Sequence, residues 1–177
     1  HGVPVAVTAS TGIAATHIGG QTIHSWSGIG VRDALSDYEL RELIERGPSA
    51  RNFRTAKVLV IDEVSMLHAH QLDMVERVLK HARDFTKPFG GLQVILCGDF
   101  FQLPPVSHDT YSREKTFAYE GAAWNAGEFK VCYLSEQFRH TATPFLSSPD
   151  MAVQNGMNRK DRGHGDDPII AILNSIR

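Results

Sequence analysis

Four short apolar runs punctuate the chain: residues 3–8 (VPVAVT), 57–61 (KVLVI), 92–96 (LQVIL) and 129–134 (FKVCYL). They are continuous rather than alternating, and the first is rich in β-branched residues. That pattern predicts strands buried on both faces, as in a parallel sheet covered by helices. Between them, residues 69–84 carry Leu72, Val75, Leu79 and Ala82 at helical spacing, with Glu76, Arg77, Lys80 and Arg83 on other faces. An amphipathic crossover helix is expected there. Residues 38–46 predict a second helix, ended by Gly47 and Pro48. Strand, helix, strand alternation predicts an α/β doubly wound sheet with its ligands at the carboxyl ends of the strands. After residue 140 the text turns polar and rich in Pro, Gly, Asp and Ser. A flexible insertion is expected over 141–166, followed by the start of a further helix over 167–177, where Ile169, Ile170, Ile172, Leu173 and Ile176 recur.

Composition narrows this little. The 177 residues are 42% hydrophobic and 21% charged, as in an ordinary globular domain. No run of about 18 apolar residues could cross a bilayer, and no secretory signal opens the chain, so an intracellular setting is expected. A net charge of -2 gives no global attraction to nucleic acid, so any DNA site must be local. Cys97 and Cys132 lack the spacing of a zinc site or disulfide scaffold and are read as small core residues. His68, His70 and His81 are read as solvated helix positions rather than metal ligands.

Chemistry concentrates at the ends of the expected strands. In VLVIDEVSM, residues 58–66, two acids follow a buried run. Asp62 can hold a magnesium ion and Glu63 can polarise a water attacking a γ-phosphate; equally, acids here can cap the first turn of a helix. In CGDFFQLPPV, residues 97–106, Asp99 ends the next run and Gln102 offers an amide able to bond both a phosphate oxygen and a water. Pro104 and Pro105 stiffen the backbone behind it. In LSEQFRH, residues 134–140, Arg139 is placed to stabilise a transferred phosphoryl group, or else to pair with Glu136 on the surface. The Gly-, Ser- and Thr-rich stretch of residues 8–30 can form a single-strand track, with His24 and Trp26 as stacking rings, or a capped helix and turn with Trp26 in the core.

In this order the four segments resemble the PIF (petite integration frequency) family of DNA helicases, in the RecD-like branch of superfamily 1. TASTGIAA with GGQTIHSWSGIG resembles that family's first single-strand contact region, IDEVSM its Walker B segment, GDFFQLPPV its third motif and LSEQFRH its fourth. Residues 67–91, ending KPFGG, resemble its signature insertion. The resemblance covers residues 3–140 and resumes at 167–177. It implies a RecA-like P-loop NTPase domain with a parallel sheet between helices, forming motor domain 1A over residues 1–140. It further implies ATP and Mg2+ as cofactors, with Asp62 on the metal and Asp62, Glu63, Asp99 and Gln102 around the nucleotide. Gln102 would sense the γ-phosphate and Arg139 would act as an arginine finger. Single-stranded DNA would be contacted by Thr11, Gly12, Thr22 and His24. The implied activity is ATP-dependent 5′-to-3′ unwinding in DNA repair, recombination and telomere maintenance, with DNA-maintenance proteins as partners. The implied compartment is the nucleus or mitochondrion of a eukaryote, or a prokaryotic cytoplasm.

One departure limits the expectation. No G-x-x-x-x-G-K-[ST] loop occurs in the chain, so the domain is expected to lack its first strand and phosphate loop, and the second motor domain's motifs are absent too. Alone, the chain is expected neither to hydrolyse ATP nor to unwind DNA. Two other readings share these residues: the helicase region of a rolling-circle transposon protein, and a degenerate domain kept as a DNA- or partner-binding module.

Overall fold

A computed structural model describes residues 2–105 and 117–134. The chain divides into two units, His1–Lys130 and Val131–Arg177, and nearly all of the described residues belong to the first. Arg139, the insertion expected over 141–166 and the helix expected over 167–177 lie outside the described residues.

The sheet contains β1 (Val5–Ala9), β2 (Gln21–Thr22), β3 (Val58–Asp62) and β4 (Gln93–Leu96), all parallel, in the order β2-β1-β3-β4. β1 starts later than the apolar run predicts because Pro4 cannot donate to a ladder. Its carbonyl instead accepts from Lys57 and Val58, and the two strands then run in register from Val5↔Val58 to Ala9↔Asp62. β2 is two polar residues long and exists through its pairing with Thr8 and Ala9.

Six helices of the described residues join and flank these strands: α1 (Gly12–His17), α2 (Ile23–Ser27), α3 (Asp37–Glu45), α4 (Ala50–Thr55), α5 (Ala69–Ala82) and α6 (Ala122–Gly127). Helices this short are marginal without caps. Thr11 accepts from the Ala14 amide and Thr22 from that of Ser25, while Ser36 and Glu39 form a reciprocal capping box on α3. Gly28 ends α2 in the left-handed region (φ 74°), where glycine carries no Cβ penalty.

On one face of the sheet, Leu59 and Ile61 are fully buried and share a core with Ile23 and Trp26 of α2, Leu40 of α3, Phe53 of α4 and Leu72, Val75 and Leu79 of α5. Each fully buried aliphatic side chain contributes roughly 1.5–3 kcal/mol relative to exposure. The other face differs from the expectation of strands buried on both sides: Val5 is 50% exposed, and Val7 and Ile95 are also exposed. Alternate residues point to opposite faces, so register puts these three with Val58 and Val60.

Arg83, just past α5, draws three pieces together. Its guanidinium donates to the carbonyls of Phe53 and Ala56 at the end of α4, and its Nε to Gly90 in the KPFGG turn. Such a fork satisfies carbonyls that a helix end leaves unpaired.

Two further expectations fail. Residues 129–134 form no strand: Val131, Tyr133 and Leu134 are largely exposed, and only Phe129 packs, against Phe89 and Trp124. An apolar run becomes a strand only where a neighbour supplies the ladder, and none of the described residues does. The two cysteines are not core residues either; both are exposed. Cys97 follows the last residue of β4, at the end of the ladder, and Cys132 lies in the run that forms no strand.

Candidate nucleotide and single-strand site

Because all four strands are parallel, their carboxyl ends share one edge, and the motifs follow those ends. Thr11 and Gly12 come after β1, Thr22 and His24 at β2 and α2, Asp62 and Glu63 at β3, and Asp99 and Gln102 after β4.

The acidic pair sits in a constrained turn. Glu63 is left-handed (φ 53°, ψ 42°), a conformation that costs a non-glycine residue roughly 1–3 kcal/mol. Its amide donates to Asp62 Oδ1 at 3.0 Å, and its carbonyl accepts from the Ser10 hydroxyl at 2.7 Å and from the Met66 amide at 3.1 Å. The turn Val64–Met66 is a 3-10 turn rather than the start of a long helix, so the acids do not serve as an α-helix cap. Among the described residues no hydrogen bond or ion pair engages the Glu63 carboxylate, which leaves it available to a water. Asp62 has one oxygen committed to the Glu63 amide and one uncommitted. That donor set fits a magnesium ion, which takes one or two carboxylates and completes its shell with phosphate oxygens and water. No group of three or more metal-ligating side chains occurs among the described residues, and His68 and His70 instead stack on one another, His70 lying 3.7 Å from Asp33. Neither His68 nor His70 is fully solvated, in contrast to the expectation for helix-surface positions; only His81 is exposed.

The segment after β4 crosses close to this turn. The Cys97 amide donates to Ile61 and its carbonyl accepts from Val64, at 2.9 Å in both cases. A Cβ on Gly98 would lie 3.0 Å from the Val64 nitrogen, so the close approach suits glycine. Cys97 is exposed as a residue, yet partial shielding of its sulfur, and then the charge of Asp62, push its thiol up. Beyond it, Asp99 accepts from the Phe101 amide at 3.0 Å and from Gln102 Nε2 at 3.2 Å. Gln102 itself is exposed.

On the strand-contact side, the Thr11 and Thr22 hydroxyls are both caps, Thr11 and Thr22 are half-buried, and Gly12 is exposed. His24 is half-buried; burial pushes its pKa down, a hydrogen bond with Gln71 partly opposes this, and His70 adds to it. Trp26 is 3% exposed and packs edge-on against Phe53, so it belongs to the core and offers no stacking face. Sequence reasoning passed over two hydroxyls that cross from β1 to β3: Thr8 donates to Val60 and Ser10 to Glu63, each at 2.7 Å. The available signal was a Thr within, and a Ser just after, a strand otherwise made of apolar residues.

Residues 1–155 match the family described as PIF1-like helicase. The ATP-dependent DNA helicase Pif1 of a Psychrobacter species is 56% identical over 137 residues, which are 77% of this chain and 21% of that protein. The ATP-dependent DNA helicase PIF1 of Saccharomyces cerevisiae is 41% identical over 163 residues, 92% of this chain and 18% of the relative. The chain thus spans about a fifth of the length of these curated relatives. Among solved structures, the Pif1 helicase of Candida albicans superposes with a TM-score of 0.70 at 40% identity, over 77% of this chain and 30% of that one. A Bacteroides Pif1 helicase in complex with ADP-AlF3 and single-stranded DNA gives 0.62 at 32% identity, over 81% and 34%. A RecA-like parallel sheet with the acidic pair and the Gln102 loop on its carboxyl edge agrees with these matches, and the chain belongs to the PIF1-like helicase family.

Proposed function

We propose that this chain supplies the nucleotide-facing and strand-facing edge of the first motor domain of an ATP-dependent 5′-to-3′ DNA helicase. The observation that carries the reading is the shared carboxyl edge of β1, β3 and β4, which puts the Thr11–Gly12 turn next to Asp62 and Glu63 and brings the Asp99–Gln102 loop alongside. Asp62 would hold the magnesium ion through its uncommitted oxygen; that ion, when bound, neutralises phosphate charge. Glu63 accepts a proton from the attacking water, a task suited to a carboxylate without a protein partner. Gln102, held by Asp99, orients toward the γ-phosphate and reports its presence. Arg139, carried by the LSEQFRH resemblance, would stabilise charge on the transferred group. Thr11, Gly12, Thr22 and His24 would contact the backbone and bases of single-stranded DNA, as befits a chain whose net charge demands a local site.

The test is ATP hydrolysis and strand unwinding by the full-length protein that carries this chain, with and without single-stranded DNA. Glu63→Gln is expected to abolish hydrolysis while nucleotide and DNA binding persist. DNA binding without any nucleotide hydrolysis in the unaltered protein would instead favour a binding module.

A further inference from the structure

We propose that Ser10 is a positioning residue that sets the Glu63 carboxylate and ties it to the DNA-contacting turn. The inference rests on the reading of Glu63 and of Thr11–Gly12 given above, and assigns a role to a residue outside both. Ser10 is 8% exposed and lies between the last residue of β1 and Thr11, the cap of α1. It bonds the backbone of both acids: its amide donates to the Asp62 carbonyl at 3.0 Å and its hydroxyl to the Glu63 carbonyl at 2.7 Å.

The geometry around Glu63 gives that second bond its consequence. A left-handed residue has few ways to place its side chain, and its Cα–Cβ direction follows the two peptide planes beside it. The plane before Glu63 is held by the bond from its amide to Asp62 Oδ1 and by the Ser10 amide on the Asp62 carbonyl. The plane after it is held by Ser10 and Met66 on the carbonyl, and by the Val64 amide bonding Cys97. Of these holds, only Ser10 comes from the segment continuous with the strand-contact turn. Displacement of Thr11 by a bound strand therefore moves a donor that is one covalent residue away and bonded directly to the turn carrying the general base. Thr8 provides an internal comparison: its hydroxyl makes the same crossing to β3 at the same 2.7 Å, but ends on Val60, within the strand and away from the acids.

The experiment compares Ser10→Ala, Ser10→Thr and Thr8→Val in the full-length protein carrying this chain. Ser10→Ala is expected to lower the DNA-stimulated kcat by about tenfold or more, with KM for ATP and Kd for single-stranded DNA within about twofold, since the loss falls on the transition state rather than on binding. Ser10→Thr, which keeps the donor, is expected to retain most of the rate. Thr8→Val is expected to lower the melting temperature at least as much as Ser10→Ala while keeping kcat. A Ser10→Ala enzyme with unchanged kcat, or an equal kcat loss in Thr8→Val, would overturn the proposal. If Ser10→Ala fails to fold, Ser10→Cys, a weak donor of similar size, decides the matter: an intermediate kcat at unchanged KM supports the role, and a kcat equal to that of the unaltered protein refutes it. Absence of DNA-stimulated hydrolysis in the unaltered protein would refute the functional reading itself and is distinct from all these results.

Discussion

Gln102 is held by Asp99. Its Nε2 donates to Asp99 Oδ2 at 3.2 Å, while the other oxygen of the same carboxylate accepts from the Phe101 amide at 3.0 Å. Both carboxylate oxygens of Asp99 thus shape its own turn, and under the proposed function the acid would act on the nucleotide through Gln102. Asp99→Ala in the full-length protein is expected to lower kcat for ATP hydrolysis by about tenfold, equivalent to roughly 1.4 kcal/mol of barrier, with KM for ATP little changed. In a Gln102→Ala background the same substitution is expected to cost little more, because residues acting as a unit are not additive. Independent, additive losses in the double variant would show that Asp99 meets the nucleotide by itself.

The acidic pair and the Gln102 loop were legible in sequence because each is a short contiguous segment placed after an apolar run. What made the site was not legible, since it depends on separation along the chain. Ser10 reaches Glu63 across 53 residues and Thr8 reaches Val60 across 52. Nothing local to IDEVSM predicts that Glu63 is left-handed. Strands show the same division. Residues 57–61 and 92–96 read correctly to within a residue, since their apolar runs meet partners, whereas residues 129–134 are also largely apolar but meet no ladder among the described residues. β2 carries no hydrophobic signal at all and is defined by β1 alone. Trp26 could have been a stacking ring or a core residue; the edge-on contact with Phe53 decided it.

Gly90 and Gly91 separate two costs in the KPFGG turn. Both are left-handed, at φ 62° and 73°, but a Cβ on Gly90 would lie 2.3 Å from the Leu79 carbonyl oxygen, whereas one on Gly91 would meet only the Lys87 side chain at 3.2 Å. A backbone carbonyl inside α5 cannot swing aside as a lysine stem can. Gly90→Ala is expected to destabilise the chain by roughly 3 kcal/mol or more and Gly91→Ala by roughly 1 kcal/mol. Urea unfolding followed by circular dichroism measures both, and equal losses would show that the clash is relieved by movement of the turn.

Cys97 gives a chemical readout of the charge on Asp62. Shielding and then that carboxylate hold the thiol above its ordinary value, which lowers the reactive thiolate fraction. Asp62→Asn removes the charge and keeps an oxygen able to accept from the Glu63 amide. In a Cys132→Ser background, iodoacetamide at roughly pH 8 is expected to modify Cys97 about two- to fivefold faster in the Asp62→Asn protein. Divalent cation bound at Asp62 should act in the same direction. An unchanged rate would mean that Asp62 and Cys97 are electrostatically uncoupled.

His24 predicts a pH dependence of stability whose sign follows from its burial. Desolvation, opposed by the hydrogen bond with Gln71 and reinforced by His70, keeps its folded pKa below the ordinary 6.5. Between those two values the unfolded chain binds a proton that the folded chain does not, so folding stability rises with pH there. The contribution is complete above about 6.5 and is lost as pH falls through the window beneath it. The chain holds other histidines, so the diagnostic quantity is a difference between the variant and the unaltered chain. His24→Asn is expected to lose less stability than the unaltered chain when pH falls from about 7.5 to about 5.5, as read by denaturant midpoints. A larger loss in His24→Asn would mean that protonated His24 is stabilised in the fold, by a partner that outweighs its burial.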